Sequence, residues 1–401
     1  MSLLPVEEAQ ARLLALAAPL PATSAPLAQA IGRYLAEPLV ARRDQPWTDL
    51  SAMDGYAVRW DDLPGPWTLA GEMAAAAVPP AQIVAPGTTL RIFTGAPLPH
   101  GADTVVVQED VAADGATIRM TGDGPGAKGR HVRPRASDFG TGDQLLPAGT
   151  RLGPAQIALA ALAGHAELPI RSAPRIAILS TGDELVPPGA PCPPGKLPAS
   201  NGIMLRAMIE GAGGTVIAES LVPDDLATLT QALRQAGEAD IIVTSGGASV
   251  GDHDLVRPAL EAAGGSIDFW RIAMRPGKPL IVGRLGGAIV LGLPGNPVSA
   301  LVTGALFLLP LLRHLAGAAD PLPRPRLARL GAAMPAVGGR TDFVRAILED
   351  DIATPIGFQD SAATRAAAQA NALILRPAGS PPAKIGDKTQ LLDWQTLGAA
   401  G

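Results

Sequence analysis

Aromatic residues make up only 3% of the 401-residue chain, so Leu, Ile, Val and Ala must fill its cores and no base-stacking platform is available. Cysteine is nearly absent. Cys192 stands alone, which excludes an intramolecular disulfide framework and a multi-cysteine metal knot. There is no excess of positive charge either: Lys+Arg 32 against Asp+Glu 37 leaves −5, and without a basic field the counterion release that drives non-specific nucleic-acid binding has no source. The five histidines show no paired metal-ligand spacing, and neither G-x-G-x-x-G nor G-x-x-x-x-G-K-[ST] occurs, so a zinc enzyme, a dinucleotide enzyme and a P-loop ATPase are all unsupported. Glu7 and Glu8 stand where a secretory signal would carry basic residues, and the uncharged stretch 285–312 is interrupted by Pro294, Gly295, Asn296, Pro297 and Pro310. These features predict a cytoplasmic protein with no nucleic-acid partner and no membrane span.

What is present is length enough for two to four domains. Apolar spacing at Leu13, Leu14 and Leu16, and at Leu27, Ile31 and Leu35, predicts two short opening helices. Short β-rich runs divided by Gly/Pro turns follow over 45–140, including TVVVQ (104–108) and 116–120. Helix returns at GPAQIALAALAG (153–164), with Pro154 at its start and Gly164 as its stop. This order predicts a helical N-terminal domain (1–44 plus 141–172) interrupted by an inserted β-rich domain (45–140). From Arg175 apolar strands and helices alternate. The strands IAIL and IIV lack period-2 alternation, as strands covered on both faces do, which predicts a central doubly wound α/β domain over 173–317. A Pro-rich linker (PLPRPR, 321–326) then leads to a small C-terminal β domain over 322–401. The fold class is multidomain α/β and β.

Ligands of open α/β sheets bind outside the carboxyl ends of the strands. After IIV comes TSGGASVGDHD (244–254), where Gly246 and Gly247 allow backbone N–H groups to approach an anion and Ser245 and Ser249 add hydroxyls. A Gly-rich turn capped by Asp252 is the simpler alternative. After IVLGL comes LPGNPVSA (293–300), a loop stiffened by Pro294 and Pro297 around Asn296 and aimed at a helix N-terminus near Ser299. Between them, FWRIAMRPGKP (269–279) gathers Arg271, Arg275 and Lys278 beside a Pro-Gly turn. Lysine is otherwise scarce, at Lys128, Lys196, Lys384 and Lys388 only. A cationic turn beside two anion-friendly loops suits an oxyanion or phosphate. The carboxylates of Asp183, Glu184, Asp224 and Asp254 could hold Mg²⁺ against phosphate oxygens, while Asp224 and Asp225 could equally be helix N-caps.

At these residues the chain resembles the MoeA family of molybdopterin molybdenumtransferases, which includes the gephyrin E domain. The resemblance rests on SAMDGYA (51–57), IFTGAPLPHGAD (92–103), HVRPRASD (131–138), STGDEL (180–185), TSGGASVGDHD, RPGKP (275–279) and LPGNPVS (293–299), in family order. It implies that the α/β domain has the molybdopterin-binding fold. It also implies Mg²⁺-dependent insertion of molybdate into adenylylated molybdopterin, releasing AMP and molybdenum cofactor, in a homodimer that works with molybdopterin adenylyltransferase and apo-molybdoenzymes. Asp224, Asp254 and Glu184 would serve the metal. Arg275, Lys278 and Ser299 would hold molybdate, with Arg345 of RTDFVR as a further group and Pro294 and Pro297 shaping the pocket. Asp54, Thr94, Arg133 and Asp138 of the inserted domain would complete the partner's cleft.

The chain departs from the family pattern at Arg271 and Arg275, where many relatives carry lysine. It also departs at Ala136, in place of a glycine, and at Arg365 and Ala366, where a hydroxyl-rich segment is expected. These changes keep open a non-catalytic molybdopterin-binding scaffold. An adenylyltransferase is a further alternative, against which the extra terminal domains argue.

Overall fold

The computed structural model describes residues 3–75, 83–247 and 255–397. At its centre is a six-stranded sheet ordered Thr215–Val222, Arg175–Thr181, Ile241–Ser245, Ala288–Leu293, Pro279–Leu285, Ser266–Arg271. The first four strands are parallel. Each inner strand feeds two cores: Ile176, Ile178, Ile241 and Val243 face one layer with Leu205, Met208 and Val298, whereas Ala177, Leu179 and Ile242 face the other with Leu229, Leu233 and Leu260. This double burial is why IAIL and IIV are apolar at every position. The remaining two strands turn antiparallel, because Leu285 pairs directly with Ala288 across the two-residue Gly286-Gly287 loop, with Gly286 at φ +58.

The helix Pro297–Leu315 is long and apolar enough to cross a membrane, but 83% of its apolar window is buried inside the protein. It is the core helix expected behind LPGNPVS.

The N-terminal region differs from its prediction. The opening helix Val6–Ala15 buries Val6, Ala9 and Leu13 in the α/β core, not in a separate helical unit. Gln10 Nε2 donates to the Leu306 carbonyl at 2.8 Å. The second predicted helix shrinks to Leu27–Ala30, bounded by Pro26 and by Gly32 at φ +76. The rest of this region includes two two-stranded ribbons, Ala22–Pro26 with Glu167–Arg171 and Leu39–Val40 with Gln144–Leu146, beside the predicted helix Pro154–Leu162.

Between these segments lies a second six-stranded sheet containing Gly55–Val58, Thr88–Ile92, Trp67–Met73 and Thr104–Val107, packed around the buried Trp67. A third sheet, built from 326–393, holds the C-terminal region. It recruits Met274–Arg275 from the α/β region as a parallel partner of Thr341–Glu349. Phe343, Leu373, Leu392 and Trp394 of this region are buried in the α/β core. The C-terminal sheet is therefore seated beside the crevice at the strand ends.

Candidate functional site

The carboxyl ends of three neighbouring strands deliver Ser180-Thr181, Thr244-Ser245 and Leu293-Pro294 to one crevice. Gly246 and Gly247 follow at φ +101 and +60. A Cβ on Gly246 would lie 2.4 Å from the Thr181 carbonyl oxygen, so only glycine fits the turn that exposes this backbone. The side chain of Asn201, at the start of the helix Ser200–Gly211, spans the crevice. Its Nδ2 donates to Ser245 Oγ at 2.9 Å and to the Gly295 carbonyl at 2.8 Å. Ser180 Oγ, Thr181 Oγ1, Thr244 Oγ1 and Asn201 Oδ1 are buried and have no hydrogen-bond partner among the described residues. Such a concentration of unsatisfied polar atoms is costly unless a ligand or water completes it. Sequence reasoning missed Asn201 as a site residue, although it follows the loop opened by STGDEL.

Asp183 and Asp224 sit face to face at the crevice rim. The Asp224 N–H donates to Asp183 Oδ1 at 3.1 Å, and the Asp183 N–H to Asp224 Oδ2 at 3.3 Å. Asp225 is the true N-cap of Leu226–Gln235, accepting from Thr228 N at 2.8 Å and Thr228 Oγ1 at 2.6 Å, and the side-chain bond first, then the backbone one, lowers its pKa. Asp224 is thereby left for the site. Glu184 is exposed, with its carboxylate close to Gly182. Ser249, Asp252 and Asp254 lie outside the described residues. Among the described residues no three His, Cys, Asp or Glu side chains cluster tightly enough to hold a metal by themselves.

Of the cations, Lys278 is exposed and has no ion-pair partner among the described residues, while Arg275 is paired with Asp342 of the C-terminal sheet. Gly277, at φ +103, brings this turn against Thr303 of the core helix. Ser299 is buried in the first turn of that helix. Pro294 is buried, and Asn296 and the half-buried Pro297 lead into the helix.

Arg345, expected beside the oxyanion, lies on the strand Thr341–Glu349 of the C-terminal sheet. It is 2% exposed, and its guanidinium is used within the protein: Nε donates to Gln359 Oε1 at 3.3 Å, Nη1 to the Ala363 carbonyl at 3.2 Å and Nη2 to the Asp360 carbonyl at 2.9 Å. These bonds tie it to the 359–363 loop. The alternating RTDFVR pattern carried no sign of this burial.

In the inserted module Asp54 Oδ1 accepts from Thr94 N at 2.7 Å and from Thr94 Oγ1 at 2.8 Å, bonds that lower its pKa, the backbone one most. Arg133 pairs in register with Leu50, Asp138 N–H donates to the Gln45 carbonyl, and both side chains are exposed. The described hydrogen bonds of these four residues stay within the inserted module and its junction. Within one chain, the structure does not join them to the crevice through such bonds.

Residues 177–314 match a probable molybdopterin binding domain. The sheet and its crevice thus define a multidomain protein built on an α/β domain of the molybdopterin-binding class. Residues 4–164 match the MoeA N-terminal region (domain I and II), and residues 327–394 the MoeA C-terminal region (domain IV). The chain is 37% identical over 384 residues to Molybdopterin molybdenumtransferase 2 of Mycobacterium tuberculosis, spanning 92% of this chain and 94% of that protein. It is 33% identical over 403 residues to the Molybdopterin molybdenumtransferase of Staphylococcus aureus, spanning 97% and 95%. The solved molybdopterin biosynthesis MoeA protein from Pyrococcus horikosii superposes with a TM-score of 0.83 at 30% identity, covering 98% of this chain and 99% of that one. The chain belongs to the MoeA family.

Proposed function

We propose that this protein is a molybdopterin molybdenumtransferase that inserts molybdate into adenylylated molybdopterin, releasing AMP and molybdenum cofactor. The observation that carries the reading is the crevice built by Gly246, Gly247, Asn201 and Gly295 at the ends of adjacent parallel strands, in a chain that matches the family from end to end. The glycine backbone and the buried hydroxyls suit the nucleotide phosphates. Asp183 and Asp224 present hard oxygens at the rim, a donor set that fits Mg²⁺, which is commonly held by one or two carboxylates together with substrate phosphates. Asp254 and Glu184 remain proposed members of that set. Bound there, Mg²⁺ would offset charge on the phosphoanhydride and its leaving adenylate.

The protein's own contribution is position and charge. Lys278, and Arg275 braced by Asp342, would draw the molybdate dianion to the crevice, while Pro294 and Pro297 keep the adjoining turn stiff near Ser299. No protein nucleophile is required. The working form is a cytoplasmic homodimer that receives its substrate from molybdopterin adenylyltransferase and passes cofactor to apo-molybdoenzymes. In it Asp54, Thr94, Arg133 and Asp138 of one subunit complete the cleft of the other. Lys278→Ala should raise the molybdate KM by about tenfold or more, the scale of one lost charge-assisted hydrogen bond. Asp224→Ala should lower AMP release by about a hundredfold, because charge on the leaving group is no longer offset. Full activity in both variants contradicts this site assignment.

A further inference from the structure

The segment 271–278 carries Arg275 and Lys278, yet little within it holds it in place. Its regular part is only the two-residue strand Met274–Arg275. Burial alternates along it: Ile272 and Met274 are buried, Arg275 and Lys278 are exposed, and the Ile272 N–H closes the loop on the Lys278 carbonyl at 3.1 Å. Because side chains of an extended segment alternate between faces, a slip of one residue would turn Arg275 inward and Met274 outward. Register therefore decides whether the cations are presented.

That register is fixed from two sides. On one side the Thr341 N–H of the C-terminal sheet donates to the Ala273 carbonyl at 2.8 Å. On the other, Leu4 lies parallel to Ile272: its N–H donates to the Arg271 carbonyl at 3.1 Å, and its carbonyl accepts from the Ala273 N–H at 2.8 Å. Ala273 is thus held through both of its backbone groups. Leu4 is half-buried against the α/β core, and Pro5 leads directly into Val6–Ala15, the helix anchored by Gln10 on Leu306. Beyond that helix the Leu20 N–H donates to the Leu315 carbonyl at 2.8 Å. The chain from Leu4 to Leu20 is therefore bonded at one end to the cationic segment and at the other to the end of the core helix.

We infer that this segment is a strap for the cationic turn, with Leu4 as a positioning residue: its backbone sets the register of 271–275 and so the place at which Arg275 and Lys278 meet the oxyanion. The inference deepens the proposed function and rests on it for the identity of that oxyanion. Leu4 acts through main-chain groups that any residue but proline supplies, so its part in the site leaves no mark in a sequence motif.

The test uses the full-length protein with Leu4→Pro, which removes the donor to Arg271, Leu4→Gly, which keeps both backbone groups but frees the segment, and Leu4→Met as the conservative variant. Turnover is measured against molybdate and against adenylylated molybdopterin separately. Deuterium exchange is followed on the protein alone in peptides covering 269–279, with 241–245 as the internal control. Leu4→Pro is expected to raise the molybdate KM by about fivefold, the scale of one lost backbone hydrogen bond, with kcat and the molybdopterin KM unchanged. Exchange in 269–279 should accelerate while 241–245 stays protected. Leu4→Gly should move both readouts in the same direction by a smaller factor, and decides the matter if Leu4→Pro also exposes 241–245. Leu4→Met should restore both. Unchanged exchange in 269–279, an unchanged molybdate KM, or both KM values rising together would overturn the strap. Absence of molybdate-dependent turnover in the unaltered protein counts instead against the molybdenum-insertion reading, while the exchange result still decides whether Leu4 holds the turn.

Discussion

Ala136 adopts φ +57, a left-handed conformation that costs a residue with a Cβ on the order of 1–2 kcal/mol. It is also the position where the family pattern calls for glycine. Ala136→Gly should therefore stabilise the protein by about 0.5–1 kcal/mol, the relief of strain being partly offset by the greater freedom of glycine in the unfolded chain. Chemical denaturation followed at the inserted module checks this, and an unchanged or lowered midpoint contradicts it. At this scale the glycines were legible, because Gly246 and Gly247 follow an apolar strand where a ligand is expected. Asn201 was not, since an asparagine opening a helix reads as an ordinary cap. Arg345 was not either: a charged residue in an alternating strand gives no hint that three protein acceptors wait for it.

The elements that formed where their residues predicted are those with a strong local pattern, such as the uninterrupted apolar strands and the helix Pro154–Leu162 with proline at its first turn. Which distant surface an element docks on was not legible. The helix Val6–Ala15 has an apolar stripe, but nothing in the stripe says that it docks on Leu306, and nothing in Met274–Arg275 announces a strand shared with the C-terminal sheet. The junction between the inserted module and the N-terminal region depends on Asp44, which accepts from Thr141 N at 2.7 Å, Thr141 Oγ1 at 2.8 Å and Arg135 Nε at 2.6 Å. These bonds, the backbone one first, lower its pKa from 3.8 to about 2. A carboxylate with a depressed folded-state pKa stabilises above its unfolded value and loses that contribution as pH falls through the folded one. Exchange of the 135–143 segment should thus rise as pH is lowered from about 4 towards 2, after correction for intrinsic rates. In Asp44→Asn it should be faster at neutral pH and lack this acid-dependent increase. An identical pH response in both proteins contradicts the role of Asp44.

For the whole molecule, the order of regions and the family were legible because the motifs fall at strand ends and turns, in sequence from 51 to 299. The seating of the C-terminal sheet against the α/β core was not, because it depends on residues such as Phe343 and Trp394 that look like any buried apolar positions. The proposed homodimer makes a further prediction. If the inserted module of one subunit completes the other's cleft, a mixed dimer of Asp54→Ala and Asp224→Ala contains one fully intact site. Co-expressed, differently tagged subunits purified as the mixed dimer should recover about half of the unaltered activity, whereas sites completed within one chain would leave none.

The central claim is tested most directly by AMP release from adenylylated molybdopterin, measured with and without molybdate and Mg²⁺ and paired with reconstitution of an apo-molybdoenzyme. The account predicts release that requires both ions and yields active cofactor. Tight binding of the adenylylated pterin with no release under any of these conditions would contradict it, and would make the protein a scaffold that keeps the crevice without the reaction.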